Sequence, residues 1–518
     1  MFVEGPRPLV ALLGFDVAAE AGPRIADGSL GAFWDQVNRV AGCARPIRLS
    51  GHKDQVDTAT GEIRRVLDSA TLPDGTILIP CGNRRASVCP SCSWTYAGDA
   101  WQIVHAGLAG GRGLPTSVAE HPGLFVTLTA PSFGKVHSRN AGDREKARTC
   151  HPRRGVCPHG NPIGCLRKHD DHDDPLLGQA LCLSCYDYAG AVIWNATAAR
   201  LYKRTVDLWY RRIAHQIGVP LTGGTRKDGS VRVGIRELVQ LSYVKVAENQ
   251  ARCLIHFHGI LRLDGYSPIP GDYPPPPDWA TGKLLAAAWR WAVDRAREPC
   301  PTPTGAGLVD ARWGREHNEK HIGVAGGAEL TPDAVVNYLP KYVTKDLHES
   351  GALSRPIRTT EDLFGVLPFL NAHQAAMVQA AWSLGGRRHL ADIRLRANAH
   401  QYGYRGHWLT KSRRYSTTFG ACRQERRDWQ RTHDRSGNPR TPLDAWGRPI
   451  EADTGDEVIE IGSWRFEGAG YRLPGDAQLA AMAADMARSR REAARADRTA
   501  ARHHGGDPPP SRFAERTR

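Results

Sequence analysis

Residues 253–263 read Cys253-Leu254-Ile255-His256-Phe257-His258-Gly259-Ile260-Leu261-Arg262-Leu263, and the fold is decided by how this run is read. The apolar residues on both sides of the histidines predict a strand near the middle of a sheet. Residues two apart on a strand share a face, so His256 and His258 project side by side while Phe257 and Cys253 turn to the opposite face. Working outward, residues 241–247 predict the preceding strand, with 248–250 in the turn between the two. Further upstream, Leu124-Phe125-Val126-Thr127-Leu128-Thr129 alternates as a buried strand does, and Trp194, Ala198, Leu201 and Leu208 mark one face of a helix. Downstream, Leu285, Ala288, Trp289 and Ala292 repeat at helical spacing, a weaker strand falls within 309–324, and Pro332-Asp333 opens a further helix. The order β-α-β-β-α-β-α predicts an α+β protein with a ferredoxin- or RRM-like antiparallel sheet. In that topology the first and third strands are central neighbours, and the third is the one bearing the histidines.

The rest of the 518-residue chain is organised around this core. Lys and Arg number 69 against 54 Asp and Glu, a formal charge of +15 that favours a polyanionic partner, nucleic acid above all. No apolar run is long enough to cross a bilayer, and neither a signal peptide nor a membrane partner is expected, which points to the cytoplasm. The predicted division is an N-terminal region at 1–115, a core at 116–350 with a cysteine-rich insertion at 145–186, a basic aromatic-rich region at 351–470 and an Ala/Arg-rich tail at 471–518.

Two adjacent imidazoles supply two thirds of a facial metal site, and a phosphate-handling ion needs an oxygen ligand as well. Glu248 is the nearest acid. With a two-residue turn at Asn249-Gln250 it faces away from the histidines; an odd shift in register brings it round. Imidazole ligands favour Mn²⁺ in affinity, and Mg²⁺ is the abundant alternative. The string Asn337-Tyr338-Leu339-Pro340-Lys341-Tyr342-Val343-Thr344-Lys345 places Tyr338 and Tyr342 four residues apart, hence neighbours on a continuous helix. Phenol titrates near 10 and needs a nearby cation to act as a nucleophile. Lys341 and Lys345 are candidates, either for that role or for neutralising charge on a phosphate. Pro340 interrupts a helix here and leaves open whether the two hydroxyls stack.

Three elements thus stand in one order: residues 125–129, then His256-Phe257-His258, then Tyr338 and Tyr342 with their lysines. Together they resemble the HUH endonuclease superfamily of rolling-circle replication initiators, in its two-tyrosine branch. The string at 409–418, Leu409-Thr410-Lys411-Ser412-Arg413-Arg414-Tyr415-Ser416-Thr417-Thr418, looks like that of initiators from actinomycete plasmids and integrative elements. The resemblance runs from about residue 80 to 427. It implies a site-specific DNA endonuclease and strand transferase in which a tyrosine attacks single-stranded origin DNA with the help of a divalent ion. The product is a 5′-phosphotyrosyl link and a free 3′-hydroxyl that primes synthesis. Origin DNA, a host helicase and the replication machinery are the implied partners. A two-tyrosine transposase shares these motifs, and a non-catalytic zinc-dependent DNA-binding regulator is the alternative from another class.

Eight of the 12 cysteines lie between Cys81 and Cys185, including the Cys-X-X-Cys pairs Cys89/Cys92 and Cys182/Cys185. That clustering predicts structural zinc. Spacing suggests one site from Cys81, Cys89, Cys92 and Cys150 and another from Cys157, Cys165, Cys182 and Cys185, with His151, His159, His169 and His172 as possible substitutes. Cys43, Cys253, Cys300 and Cys422 stand alone. Between 384 and 427, arginines alternate with Tyr402, Tyr404, Trp408, Tyr415 and Phe419. Either the rings stack unpaired bases beside phosphate-binding arginines, or they belong to a core.

Overall fold

The computed structural model describes residues 17–503 apart from 142–146, 172, 226, 324–328, 340–352, 434–437 and 447–457. The chain divides into two compact units, one made of residues 1–99 with 418–518 and the other of 100–417.

The second unit is built on a five-stranded antiparallel sheet. Its strands are β1 (Gly123–Leu128), β2 (Val239–Asn249), β3 (Ile255–Gly265), β4 (His317–Ile322) and β5 (Leu409–Lys411), in the spatial order β4-β1-β3-β2-β5. β3 is buried along its whole length and lies in the middle, beside β1, as expected of the strand carrying the histidines. One face of the sheet is covered by α1 (Tyr188–Ile217), whose Ala198, Leu201, Tyr202, Trp209 and Ile213 recur at helical spacing and join the core with Phe257, Leu261 and Leu263. Full burial of each large side chain contributes about 1.5–3 kcal/mol, which is why this face sets the register. Asp187 caps the start of α1 by accepting from the Gly190 amide at 2.8 Å, and Gly218 ends it at φ 71°. α2 (Gly282–Arg295) adds Leu285, Trp289 and Ala292 to the same core.

The turn between β2 and β3 differs from the expected one. Glu248 and Asn249 belong to the strand, pairing with His256 and Ile255, and the chain reverses over the five residues from Gln250 to Leu254. Cys253, expected to face the core from β3, sits in this turn at φ 59°. The turn is pinned from below by Asn195 of α1, which is fully buried. Its Nδ2 donates to the Cys253 carbonyl (2.9 Å) and the Tyr402 carbonyl (2.9 Å), and its Oδ1 accepts from the Ile255 amide (3.0 Å).

On the face covered by α1, Lys245 is buried with its ammonium over the rings of Phe257 (4.0 Å) and Tyr202 (4.7 Å). Burial pushes it down to about 7. A lysine with a depressed native value binds fewer protons folded than unfolded, so its charging penalty is absent above about pH 10.5 and is fully present below about 7. Lys245→Met is therefore expected to stabilise the unit by about 2 kcal/mol at pH 7, the two ring faces offsetting part of the penalty. Thermal unfolding from pH 7 to 10 checks this; the advantage of the variant must shrink as pH rises.

The first unit joins segments far apart in the sequence. The strand Ile47–Asp57 pairs antiparallel with Val458–Ala469 over its whole length, and with Ile63–Asp68 on its other side. Beneath it, Phe33, Val37 and Val40 pack with Leu479, Ala480 and Ala483. Buried Arg24 binds Asp476 through Nε (3.0 Å) and Nη2 (2.7 Å).

Candidate active site and metal clusters

The face of the sheet opposite α1 carries His256 and His258, 8% and 6% exposed, which excludes a solvent-facing stripe. The five-residue turn shifts the pairing by an odd number relative to a two-residue turn, and so puts Glu248 directly opposite His256 on this same face. Its Oε2 lies 3.2 Å from His258 Nε2, and the two imidazole rings are 4.6 Å apart. Gln250, in the turn, places Nε2 3.3 Å from His256 Nδ1 and is itself held through Oε1 by Arg252 Nε at 2.9 Å. Arg252 in turn binds the carbonyls of Ala130 and Pro131 beyond the end of β1. Thr127 Oγ1 approaches His258 Nδ1 at 3.5 Å.

The helix α3 (Pro332–Tyr338) begins with proline at its first position, where no amide donor is needed, and ends at Tyr338. Val335, Val336 and Leu339 are buried, whereas Tyr338 is 38% exposed. Its ring meets His258 edge-on with centroids 5.8 Å apart, and Phe125 at 5.9 Å. One phenol therefore stands beside the imidazole–carboxylate group. Pro340, Lys341, Tyr342 and Lys345 lie outside the described residues.

The cysteines are grouped differently from the spacing-based expectation. Three four-ligand clusters form among the described residues: Cys43, Cys81, Cys89 and Cys92; His137, Cys150, Cys165 and His169; and Cys157, His159, Cys182 and Cys185. Cys150 thus leaves the first set for Cys165, and Cys43 takes its place. Tetrahedral zinc with ordinary bond lengths requires ligand–ligand edges of about 3.8 Å for S–S, 3.6 Å for S–N and 3.3 Å for N–N. Cys43 Sγ is 3.7 Å from Cys89 Sγ and 3.6 Å from Cys92 Sγ. His169 Nε2 is 3.7 Å from Cys165 Sγ and 3.3 Å from His137 Nδ1. His159 Nδ1 is 3.2, 3.9 and 4.0 Å from the sulfurs of Cys185, Cys182 and Cys157. The donor sets fit zinc. Hydrogen bonds among the thiols draw Cys89 down and push Cys92 up. Glu248, His256 and His258 do not close into a cluster this tight. Of the other histidines, His151 points Nε2 at the Val136 carbonyl (2.8 Å), and His172 is outside the described residues.

In the basic aromatic region three of the five named rings belong to a core, while Trp408 and Phe419 are partly exposed. Tyr402, Tyr404 and Tyr415 are fully buried, and Tyr404 packs against Phe257. Several arginines there bind carbonyls: Arg387 that of Pro303 (2.7 Å), Arg405 that of Asp392 (2.8 Å), and Arg414 that of Ser267. The string at 409–418 opens with the edge strand β5, paired to Val244–Val246 of β2, and Tyr415 donates to the Val104 carbonyl. Leu409 and Tyr415 of this string are buried in the unit, while Arg413 is exposed. Two residues of the sites carried no usable signal in the sequence: the lone Cys43, and His137, which precedes the cysteine-rich insertion.

A family model described as "Replication initiator protein, pSAM2" matches residues 29–485. The chain belongs to this replication initiator family. A replication initiator protein of Streptomyces ambofaciens is 36% identical to it over 483 residues, spanning 91% of this chain and 94% of the relative. No solved structure matches. The family match takes in β1 to β5, all 12 cysteines and both tyrosines. No helix among the described residues is long and apolar enough to cross a membrane.

Proposed function

We propose that this initiator is an HUH-type endonuclease that nicks single-stranded DNA at its replication origin and stays covalently attached to the 5′ end. The observation that carries the reading is the placement of Tyr338 beside His258, with Glu248 and His256 on the same face of a central strand. The strand order β4-β1-β3-β2 supports a ferredoxin-like core, and family membership favours an initiator over a transposase or a non-catalytic regulator.

His256, His258 and Glu248 offer two imidazoles and a carboxylate, a donor set that suits Mn²⁺ or Mg²⁺; when bound, the ion withdraws charge from the scissile phosphate. The Tyr338 oxygen gives up its proton and attacks phosphorus in line, the new Tyr–O–P bond replaces the P–O3′ bond, and the 3′-oxygen takes up a proton and leaves as a hydroxyl that primes synthesis. The phosphodiester energy is retained, so no nucleotide is consumed. Lys341 and Lys345 are assigned to charge neutralisation at this step, and Tyr342 to the second cleavage that releases a circle. Zinc in the cysteine clusters is structural, and a host helicase is expected to extend the opened origin. The chain acts where replication occurs, in the cytoplasm.

The test is to incubate labelled single-stranded origin DNA with the full chain and Mn²⁺ and resolve the products on a denaturing gel. A protein–DNA adduct is expected; its absence across divalent metals ends the nuclease reading. Adduct formation by each of Tyr338→Phe and Tyr342→Phe, lost only in the double variant, assigns both tyrosines. Glu248→Gln is expected to raise the Mn²⁺ concentration for half-maximal cleavage by about tenfold or more, since even groups that merely orient a ligand cost 10–100-fold in affinity. An unchanged metal dependence excludes Glu248 as the oxygen ligand.

A further inference from the structure

The ligands of the two clusters between β1 and α1 alternate along the chain. His137 and Cys150 belong to one, Cys157 and His159 to the other, Cys165 and His169 to the first again, and Cys182 and Cys185 to the second. Neither cluster can be assembled from one continuous segment, so each closes a loop that contains part of the other. The His137/Cys150/Cys165/His169 cluster is the more enclosed: both cysteines and His169 are buried. It also has an orienting partner, because Asp174 Oδ2 lies 2.6 Å from His169 Nδ1 and leaves Nε2 directed at Cys165 and His137.

Asp174 reaches further. Its Oδ1 accepts from the Leu176 amide (2.9 Å) and its carbonyl from the Leu177 amide (3.0 Å), shaping the bend that leads to Gly178. Gly178 donates its amide to the His137 carbonyl, and the His137 amide donates to Gln179, both at 2.8 Å. Gly178 has φ 82°, and a Cβ there would collide with the backbone of Ala251. Ala251 is in the turn that carries Gln250, the residue touching His256. A continuous line of contacts thus runs from the cluster through Asp174 and Gly178 to the back of the histidine strand.

We infer that His137, Cys150, Cys165 and His169 bind a zinc ion that interlocks with the neighbouring site and braces the turn behind His256. The ion would be structural: all four positions are filled by side chains, with none left for water or substrate. Its value to catalysis rests on the nuclease reading above; its presence and its hold on the turn do not. Asp174 and Gly178 are positioning residues in this scheme.

Zinc released from the full-length protein with a mercurial and counted with a chromogenic chelator is expected at three ions per chain, and at two or fewer in Cys150→Ser/Cys165→Ser. A double variant that holds as many ions as the wild type overturns the site. Asp174→Asn keeps all ligands and guards against misfolding; it is expected to release one ion 10–100-fold faster to the chelator. The brace is read by hydrogen exchange of peptides spanning residues 250–256, independently of activity. Asp174→Asn treated with chelator and Gly178→Val with its zinc retained should both exchange there about tenfold faster. Unchanged exchange in both overturns the brace. A wild-type protein that forms no DNA adduct fails the nuclease reading alone, since zinc count and exchange still decide this proposal.

Discussion

His258→Ala is expected to lower the rate of strand cleavage about 1000-fold while leaving single-stranded DNA binding and zinc content unchanged. His258 is the centre of the candidate site: it contacts Glu248, stacks beside Phe125 and is met by Tyr338. Losing a metal ligand removes several kcal/mol of charge stabilisation on the reacting phosphate, and each 1.4 kcal/mol is a factor of ten in rate. Binding is expected to be spared because the formal charge of +15 is spread over the chain and does not depend on this one residue, a contribution read as the salt dependence of affinity. The measurement is single-turnover formation of the adduct at saturating Mn²⁺. Cleavage within tenfold of wild type would remove His258 from the machinery and with it the reading of this face as a nuclease site. Because the residue is buried at the sheet surface, circular dichroism and zinc content must be matched first.

The second large effect concerns stability. At the far end of the histidine face, Asp264 accepts from Arg262 Nε (2.6 Å) and Nη2 (2.9 Å) and from Ser242 Oγ (2.6 Å), and lies 2.7 Å from His121 Nδ1. Arg262 is 1% exposed. Asp264→Ala leaves an enclosed guanidinium whose remaining hydrogen bonds among the described residues go to the Gly107 and Tyr415 carbonyls. Breaking a buried pair from one side costs about 3–5 kcal/mol, which for a unit of this size lowers the melting temperature by about 6 °C. Burial by itself would raise the Asp264 carboxyl, but His121 and Arg262 outweigh it and hold the group below its ordinary 3.8. Its contribution is therefore complete above about pH 4 and is lost as pH falls through the lower native value. Replacing both partners with apolar residues of similar size should recover most of the loss; a double variant no better than Asp264→Ala would contradict the ion-pair account.

The sheet was legible in the sequence where periodicity is local. His256 and His258 share a face because the strand period is two, and Trp194 to Leu208 announced α1 because the helical period is equally local. The position of Glu248 was not, since it depends on the length of a turn fixed by Asn195, a residue more than fifty positions upstream. The candidate metal ligands were recognisable as a class from the paired cysteines. Their partition was hidden because alternate pairs belong to alternate clusters and because Cys43 and His137 stand outside the dense stretch. The aromatic residues among the arginines show the limit of composition: Tyr402, Tyr404 and Tyr415 look like a base-stacking surface in text and are core in space. Nothing local marks residues 47–57 and 458–469 as partners, because pairing across four hundred residues leaves no periodic trace.

That last pairing has a consequence for how the protein is made. The central unit, residues 100–417, has all its strands before the final hundred residues are translated. The strand at 47–57 must wait with an open edge until 458–469 emerges, and Phe33 and Val37 must wait for Leu479. A chain cut short by a nonsense codon or a stalled ribosome would therefore carry the complete histidine face but an unclosed terminal unit, a ready target for degradation. Pairing residues 47–57 with 458–469 thus ties completion of this unit to late translation.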